Sequence, residues 1–262
     1  LEPGAKGAEV ENLQARLAKL GFPPGKIDGS FGPGTEAALR AFQLARGLLA
    51  DGIAGPRTLS ALGLTEDPTL PSAIGDLTPE KVAVMFPVTP IRNIRRNLPA
   101  ILEAMAEADL REKPMILMAL ATIRAETEGF VPVSEGVSRF NTSPGGRPFD
   151  LYDRRTDIGN GRPGDGERYR GRGFVQLTGK ANYLQHGRAI GLGKALVEDP
   201  ESANDRIIAA RLLASFLKAR ERGIKEALVR NDLAGARRLV NGGSHGLERF
   251  SDCYLRGRAV LG

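Results

Sequence analysis

Glu126 closes an apolar run, Met115-Ile116-Leu117-Met118-Ala119-Leu120-Ala121-Thr122-Ile123, within Arg124-Ala125-Glu126-Thr127-Glu128-Gly129-Phe130. A carboxyl carried into a cleft by the end of a buried helix is partly desolvated, which raises its proton affinity and suits it to proton donation. Position alone equally fits a surface Glu near a helix terminus. Glu135 supplies the second half of a reaction. It follows nine residues later, beyond Gly129 and Pro132, so the two carboxyls cannot ride one continuous helix. A loop can present the second across a cleft from the first. Inverting glycosidases need such a pair, an acid on the leaving oxygen and a base on a water, with carboxyls about 6.5–9.5 Å apart.

A second constellation is Arg168-Tyr169-Arg170-Gly171-Arg172-Gly173-Phe174-Val175-Gln176-Leu177-Thr178-Gly179-Lys180-Ala181-Asn182-Tyr183. Gly171 and Gly173 let backbone approach a ligand closely. Gln176, Thr178 and Asn182 offer hydrogen-bond groups to sugar hydroxyls, N-acetyl groups or a positioned water. The arginines are placed to pair with Glu126 or Glu135. The same stretch also reads as a Gly-rich turn before a short strand. No tryptophan is present, so Tyr152, Tyr169 and Phe130 are the aromatic candidates for stacking on a sugar.

Two histidines, His186 and His245, and one cysteine, Cys253, leave too few soft ligands for a zinc hydrolase and none for an intrachain disulfide. The reading therefore requires no metal or other cofactor. Cys253 lies eight positions after His245, on a helix with Leu247, Phe250 and Tyr254, which marks it as a buried small apolar residue rather than an amidase nucleophile.

Two domains fit the length. In residues 1–64, Asp28-Gly29-Ser30-Phe31-Gly32-Pro33-Gly34-Thr35 repeats as Asp51-Gly52-Ile53-Ala54-Gly55-Pro56-Arg57-Thr58, both reading DGxxGPxT. Each copy is a Gly-rich turn feeding a short helix, with Pro33 or Pro56 in the first turn, where a missing N–H costs nothing. Val10, Leu13, Leu17 and Leu20 fall at helical spacing ahead of them, and Gly21 stops that helix. A three-helix module follows, with Leu44, Leu48 and Leu49 in its core. The glycines and aspartates of the repeat can be read as building turns only. Residues 65–76, TEDPTLPSAIGD, lack an apolar face and read as a linker.

Residues 77–262 are rich in helical patterns, so the fold class is all-α or mostly α. Helices are expected at about 99–111, with Ile101, Leu102 and Met105 inward, and from about Pro114 to Thr127. Others fall near 204–221, 224–230, 233–240 and 246–260. Between 130 and 170, Pro132, Pro144, Pro148, Pro163 and several glycines imply long irregular chain of the functional kind. No stretch approaches the roughly 18 apolar residues of a membrane span. Leu1 begins almost inside the first motif, so any initiator Met or export signal is expected upstream. The net charge of +6 is uneven: residues 1–64 hold 7 basic and 6 acidic groups, and residues 77–262 hold 30 and 22. That excess fits an anionic partner, wall polymer or outer-membrane lipopolysaccharide, or else a solvated face. Nucleic acid is not indicated, since no basic stripe alternates with aromatics.

Residues 4–64 resemble the peptidoglycan-binding domain family, which implies a shallow groove for wall glycan or stem peptide. AETEGF, YRGRGFVQLTGKANY and Leu239-Val240-Asn241-Gly242-Gly243 resemble the signature blocks of glycoside hydrolase family 19, a family that includes chitinases and phage endolysins. The resemblance covers residues 78–262 and implies a lysozyme-like, mostly helical catalytic domain with an inverting mechanism. It assigns Glu126 as general acid, Thr178 to the attacking water, Gln176, Asn182 and Asn241 to the substrate cleft, and Arg249 to support of the carboxylate network. Plant chitinases follow the acid with a Trp and two glycines and place the second Glu much farther on. PVSEGVSRFNTS and LYDRRTDIGNGRPGDG resemble the endolysin branch instead, which assigns Glu135 as base; Tyr169, one of the aromatic candidates, joins the substrate-binding set.

The resulting expectation is a monomeric peptidoglycan hydrolase that cuts between N-acetylmuramic acid and N-acetylglucosamine. As a phage protein it would wait in the host cytoplasm and act in the periplasm. A chitinase, a lytic transglycosylase and a non-catalytic wall-binding virion component are the alternatives.

Overall fold

A computed structural model describes residues 1–46, 48–64, 72–241, 243 and 246–262. It divides into two compact units, Leu1–Pro71 with Arg222–Ala236, and Ser72–Glu221 with Arg237–Gly262. Of the expected linker, residues 65–71 lie outside the described residues. Ala73 already belongs to the second unit, its N–H donating to Arg111 O at 2.9 Å. Among the described residues no helix is long and apolar enough to cross a membrane.

The first unit contains α1 (Ala8–Lys19), α2 (Pro33–Ala45) and α3 (Pro56–Ala61). Val10, Leu13 and Leu17 are fully buried with Phe31, Leu39, Phe42 and Leu62. Leu20 sits at the end of α1, and Gly21 follows at φ 86, the left-handed conformation that a helix stop requires. Pro33 and Pro56 take the first helical turn. The expectation for Leu44 fails: it is 51% exposed, on the face of α2 opposite Leu39 and Phe42, while Leu48 packs against the core.

The repeat has a physical basis that its own residues do not reveal. Gln14 of α1, 1% exposed, donates through Nε2 to Asp28 Oδ1, Ser30 O and Thr35 Oγ1, and accepts from the N–H groups of Asp28 and Gly29. Gln43 of α2, equally buried, donates to Asp51 Oδ1, Ile53 O and Thr58 Oγ1, and accepts from Gly52 N. One buried amide thus closes each DGxxGPxT turn, meeting the rule that buried polar groups be paired.

The second unit is built on α4 (Pro79–Met85), α5 (Ile91–Glu107) and α6 (Lys113–Thr127). Every residue of α6 from Met115 to Ala125 is buried. After it come β1 (Val133–Ser134), α7 (Asp165–Arg168), β2 (Arg172–Gly173), α8 (Lys180–Ala189), α9 (Ala195–Glu198) and α10 (Arg206–Lys218). Then follow α11 (Glu221–Val229), α12 (Leu233–Asn241), which runs from one unit into the other, and α13 (Leu247–Val260). α13 packs on α6, and α10 on α5. Gly257 permits the first approach, since a Cβ there would run into Leu117.

Two helix expectations need correction. α5 begins at Ile91, not near Pro99, and carries Pro99 in its interior. Burial of Ile94, Leu98, Ile101 and Met105 along one face outweighs the roughly 3 kcal/mol that an internal proline costs. The Gly-rich constellation does contain a two-residue strand, but it then turns at Gly179 (φ 91) into α8, whose Lys180 N–H is capped by the buried Asn160. Residues 130–170 are irregular, as expected, and are pinned by carboxylates and amides: Asp153 accepts from Gly164 and Gly166 N–H, and Asn160 donates to Tyr152 O.

Candidate active site

The helix α6 ends in a turn whose three successive carbonyls are tied down. Glu128 O accepts from Thr89 Oγ1, Gly129 O from Asn93 Nδ2, and Phe130 O from Asn97 Nδ2. Asn93 and Asn97 are one turn apart on α5, so a single helix face fixes the exit of α6. Phe130 is fully buried between Phe86 and Phe174, at 4.8 and 6.4 Å between ring centroids. It is a core residue and presents no face to a sugar.

Glu126, its side chain 15% exposed, meets Arg237 of α12, with Nη2 at 2.6 Å from Oε1. Arg237 is fully buried, and its guanidinium also lies 5.7 Å from the Phe250 ring centroid. The apolar helix end anticipated around Glu126 is therefore a charged one. Arg249, expected to support the carboxylate network, reaches Glu128 Oε2 at 3.1 Å. Both of those side chains are open to solvent.

Glu135 follows β1, which pairs antiparallel with β2 in the register Val133↔Gly173 and Ser134↔Arg172. Its N–H donates to Gly171 O at 2.8 Å. Three donors converge on its carboxylate: Asn141 Nδ2 and Tyr152 OH on Oε1, each at 2.9 Å, and Gly171 N on Oε2 at 3.2 Å. Burial first, and then the Glu135 charge, push the Tyr152 phenol far above its ordinary value, so it remains a donor. A Cβ at Gly171 would stand 3.1 Å from Glu135 Oε2 and 2.9 Å from Gln176 Oε1, so a side chain there would press on both.

Gln176, at φ 52, donates to Val133 O and Gly173 O and so ties β1 to β2. Thr178 Oγ1 donates to Gln176 O at 3.0 Å, and Asn182 Nδ2 to Thr178 O at 2.7 Å. These three form one chain of hydrogen bonds. Asn241, at the end of α12, accepts from Gly243 N at 3.1 Å; Gly242 lies outside the described residues.

The arginines of the constellation do not serve Glu126 or Glu135. Arg170 and Arg172 both bind Glu201, at 3.1 and 2.5 Å, and Arg168 donates to the carbonyls of Val197 and Glu198. Backbone turning at Gly171 and Gly173 aims them toward α9 and the segment after it. Tyr169 is 3% exposed, with its ring 5.7 Å from that of Tyr183, so it belongs to the core and not to a sugar platform.

Sequence reasoning missed Arg237, Asn141 and the polar use of Tyr152. One signal was available for Arg237: it shares the buried face of α12 with Ala236 and Val240, and an arginine on an apolar face implies a buried anion. A concavity of about 700 Å³, lined by His186, Ser215, Glu107 and Arg211 among others, lies between α5, α8 and α10, away from both carboxylates. His186 there bonds Ser215 Oγ at 2.9 Å, and burial, then Arg220, lower it to about 4, which keeps it neutral.

Residues 6–62 match the family model of a putative peptidoglycan binding domain. Over 62 residues, 24% of this chain and 22% of the relative, the chain is 53% identical to a spore cortex-lytic enzyme of Oceanobacillus iheyensis. It is 54% identical over 56 residues to the N-acetylmuramoyl-L-alanine amidase CwlM of Mycobacterium tuberculosis, 21% of this chain and 14% of that one. The chain thus spans about a fifth or less of the length of these curated relatives. A bacterial family 19 chitinase superposes on 71% of this chain and 94% of its own, at TM-score 0.52 and 23% identity. Chitinase C of Streptomyces griseus does so on 76% and 82%, at TM-score 0.50 and 18% identity. These structures share the fold of this chain.

Proposed function

We propose that this chain is a peptidoglycan hydrolase, a glycosidase that cuts wall glycan between N-acetylmuramic acid and N-acetylglucosamine with inversion. The observation that carries the reading is the contrast between two carboxyls within ten residues of sequence. Glu135 is gripped by three donors, which suits an ionised base that must orient a water. Glu126 meets the buried Arg237 guanidinium, which fixes its position and balances the negative charge that proton donation leaves on it.

In the proposed cycle Glu126 protonates the glycosidic oxygen and the bond to the anomeric carbon breaks. Glu135 takes a proton from a water as that water's oxygen attacks the opposite face, with Thr178 helping to hold it. Proton exchange with solvent then returns Glu126 to its acid form and Glu135 to its carboxylate. The N-terminal module keeps the enzyme on an insoluble polymer and raises its local concentration there. The family match of residues 6–62 supports wall binding by the module, and the chitinase-like fold of the second unit supports a glycan substrate.

The test is Glu126→Gln assayed on purified sacculi. Glycan cleavage is expected to be lost while sedimentation with sacculi is retained, and the wild-type chain is expected to release hydrolysed rather than anhydro ends. Full cleavage by the variant removes Glu126 from the scheme; anhydro ends would replace hydrolysis with transglycosylation.

A further inference from the structure

Aromatic side chains in this protein are hidden with one exception. All ten Phe and four Tyr are among the described residues, and Phe140 alone is exposed, at 74%. Leaving a phenyl ring in water forgoes the stabilisation that burial brings, and here the ring is also held in place. The loop from Glu135 to Asn141 is closed by the fully buried Asn141, whose Nδ2 donates to Glu135 Oε1 and Gly136 O and whose Oδ1 accepts from Ser138 N. Phe140 N–H donates to Ser138 Oγ at 3.3 Å. With neighbouring Cα atoms ~3.8 Å apart, the Cα of Phe140 stands within roughly 10 Å of the Glu135 carboxylate. The Arg139 guanidinium covers one side of the ring, 4.9 Å from its centroid.

We infer that Phe140 and Arg139 form a glycan-binding platform that selects an anionic wall strand over a neutral one. The inference rests on the glycosidase reading above. A pyranose ring has an apolar face of C–H groups that packs on an aromatic ring, and the open side of Phe140 offers such a surface one or two sugars from Glu135. Arg139 places a cation beside the same sugar, within reach of the lactyl and stem-peptide carboxylates that peptidoglycan carries and chitin lacks. The absence of tryptophan leaves this exposed phenyl to do the stacking.

The test measures kcat and KM of the full chain on soluble peptidoglycan strands, with a neutral chitin hexasaccharide as competing ligand. For Phe140→Ala the expected result is a KM and an inhibition constant that both rise roughly three- to tenfold at unchanged kcat; Phe140→Trp should restore both. For Arg139→Gln the KM should rise while the inhibition constant for the neutral sugar stays put. Unchanged constants in Phe140→Ala, with the wild type active, overturn the platform alone. Equal changes toward both sugars in Arg139→Gln overturn the charge selection. A wild-type chain that cuts no glycan removes the hydrolase reading and the platform together.

Discussion

The two units spend their polar side chains differently. In the N-terminal module the sequence repeat is clamped from within: Gln14 and Gln43 each gather the Asp, the Thr and the backbone of one DGxxGPxT turn. In each, a single aspartate oxygen, Oδ1, takes both the Gln amide and the N–H two residues on. In the second unit, three donors converge on one carboxylate that stands alone at the mouth of a loop, and no repeat announces it. The recurring motif here builds architecture, whereas the donors gathered on Glu135 hold the carboxylate that the proposed mechanism uses.

The largest effect that tests this contrast is expected from Glu135→Gln. The amide keeps the size of the side chain and an acceptor for Tyr152 but cannot take a proton, so kcat should fall about 10²–10⁴-fold, the usual share of general base catalysis. Circular dichroism and the melting midpoint should stay near wild type. A variant that melts early yet cuts glycan normally would make Glu135 a structural clamp, like the aspartates of the repeat, and the contrast would collapse.

Gln14→Leu probes the other side. It strips the buried Gly29 N–H of its acceptor and Thr35 of a partner, which should destabilise the first unit by about 2–3 kcal/mol. Binding to sacculi should weaken in proportion, while the rate on short soluble glycan should not change. Loss of both would show that the module does more than anchor the enzyme.

How far these roles were legible beforehand depended on whether they left a periodic trace. The helix around Val10 did, because burial of one face imposes a 3.6-residue rhythm on apolar side chains, and the helix around Met115 left an unbroken apolar run. Gln14 and Gln43 did not, since each is one polar residue on an otherwise apolar face, fourteen and eight positions from the Asp it clamps. Arg237 is 111 residues from Glu126, and only tertiary folding brings the two together. The arginines at 168–172 misled for the opposite reason: nearness in sequence to the Gly-rich turn suggested partners, but the turn itself rotates them toward Glu201.

Gly171→Ala should have a smaller effect and sharpens the picture further. The added methyl meets Glu135 Oε2 and Gln176 Oε1 and has to displace one of them by a few tenths of an ångström. If Glu135 is the base proposed above, a misplaced carboxylate loses rate far more readily than the fold loses stability, so kcat should drop roughly tenfold with a shift of only a degree or two in melting. The reverse result, a large loss of stability with normal kcat, would place Gly171 among the turn-building glycines of the first unit.

The smallest effect concerns the pH response of the repeat. Hydrogen bonds from the Ser30 N–H first, and then from the Gln14 amide, hold the Asp28 carboxyl below its ordinary value of 3.8. A group lowered in the folded state contributes stability above its unfolded value and withdraws it as the pH falls through the folded one. Acid should therefore loosen the first unit only below about pH 4, and Asp28→Asn, which keeps the acceptor but not the charge, should flatten that slope. Amide-exchange protection at Gly29 and Ser30 in the full chain, followed from pH 5 to pH 3, reads the effect at the turn itself. A slope that survives the substitution would move the acid sensitivity elsewhere and leave Asp28 as a hydrogen-bond acceptor whose charge is incidental.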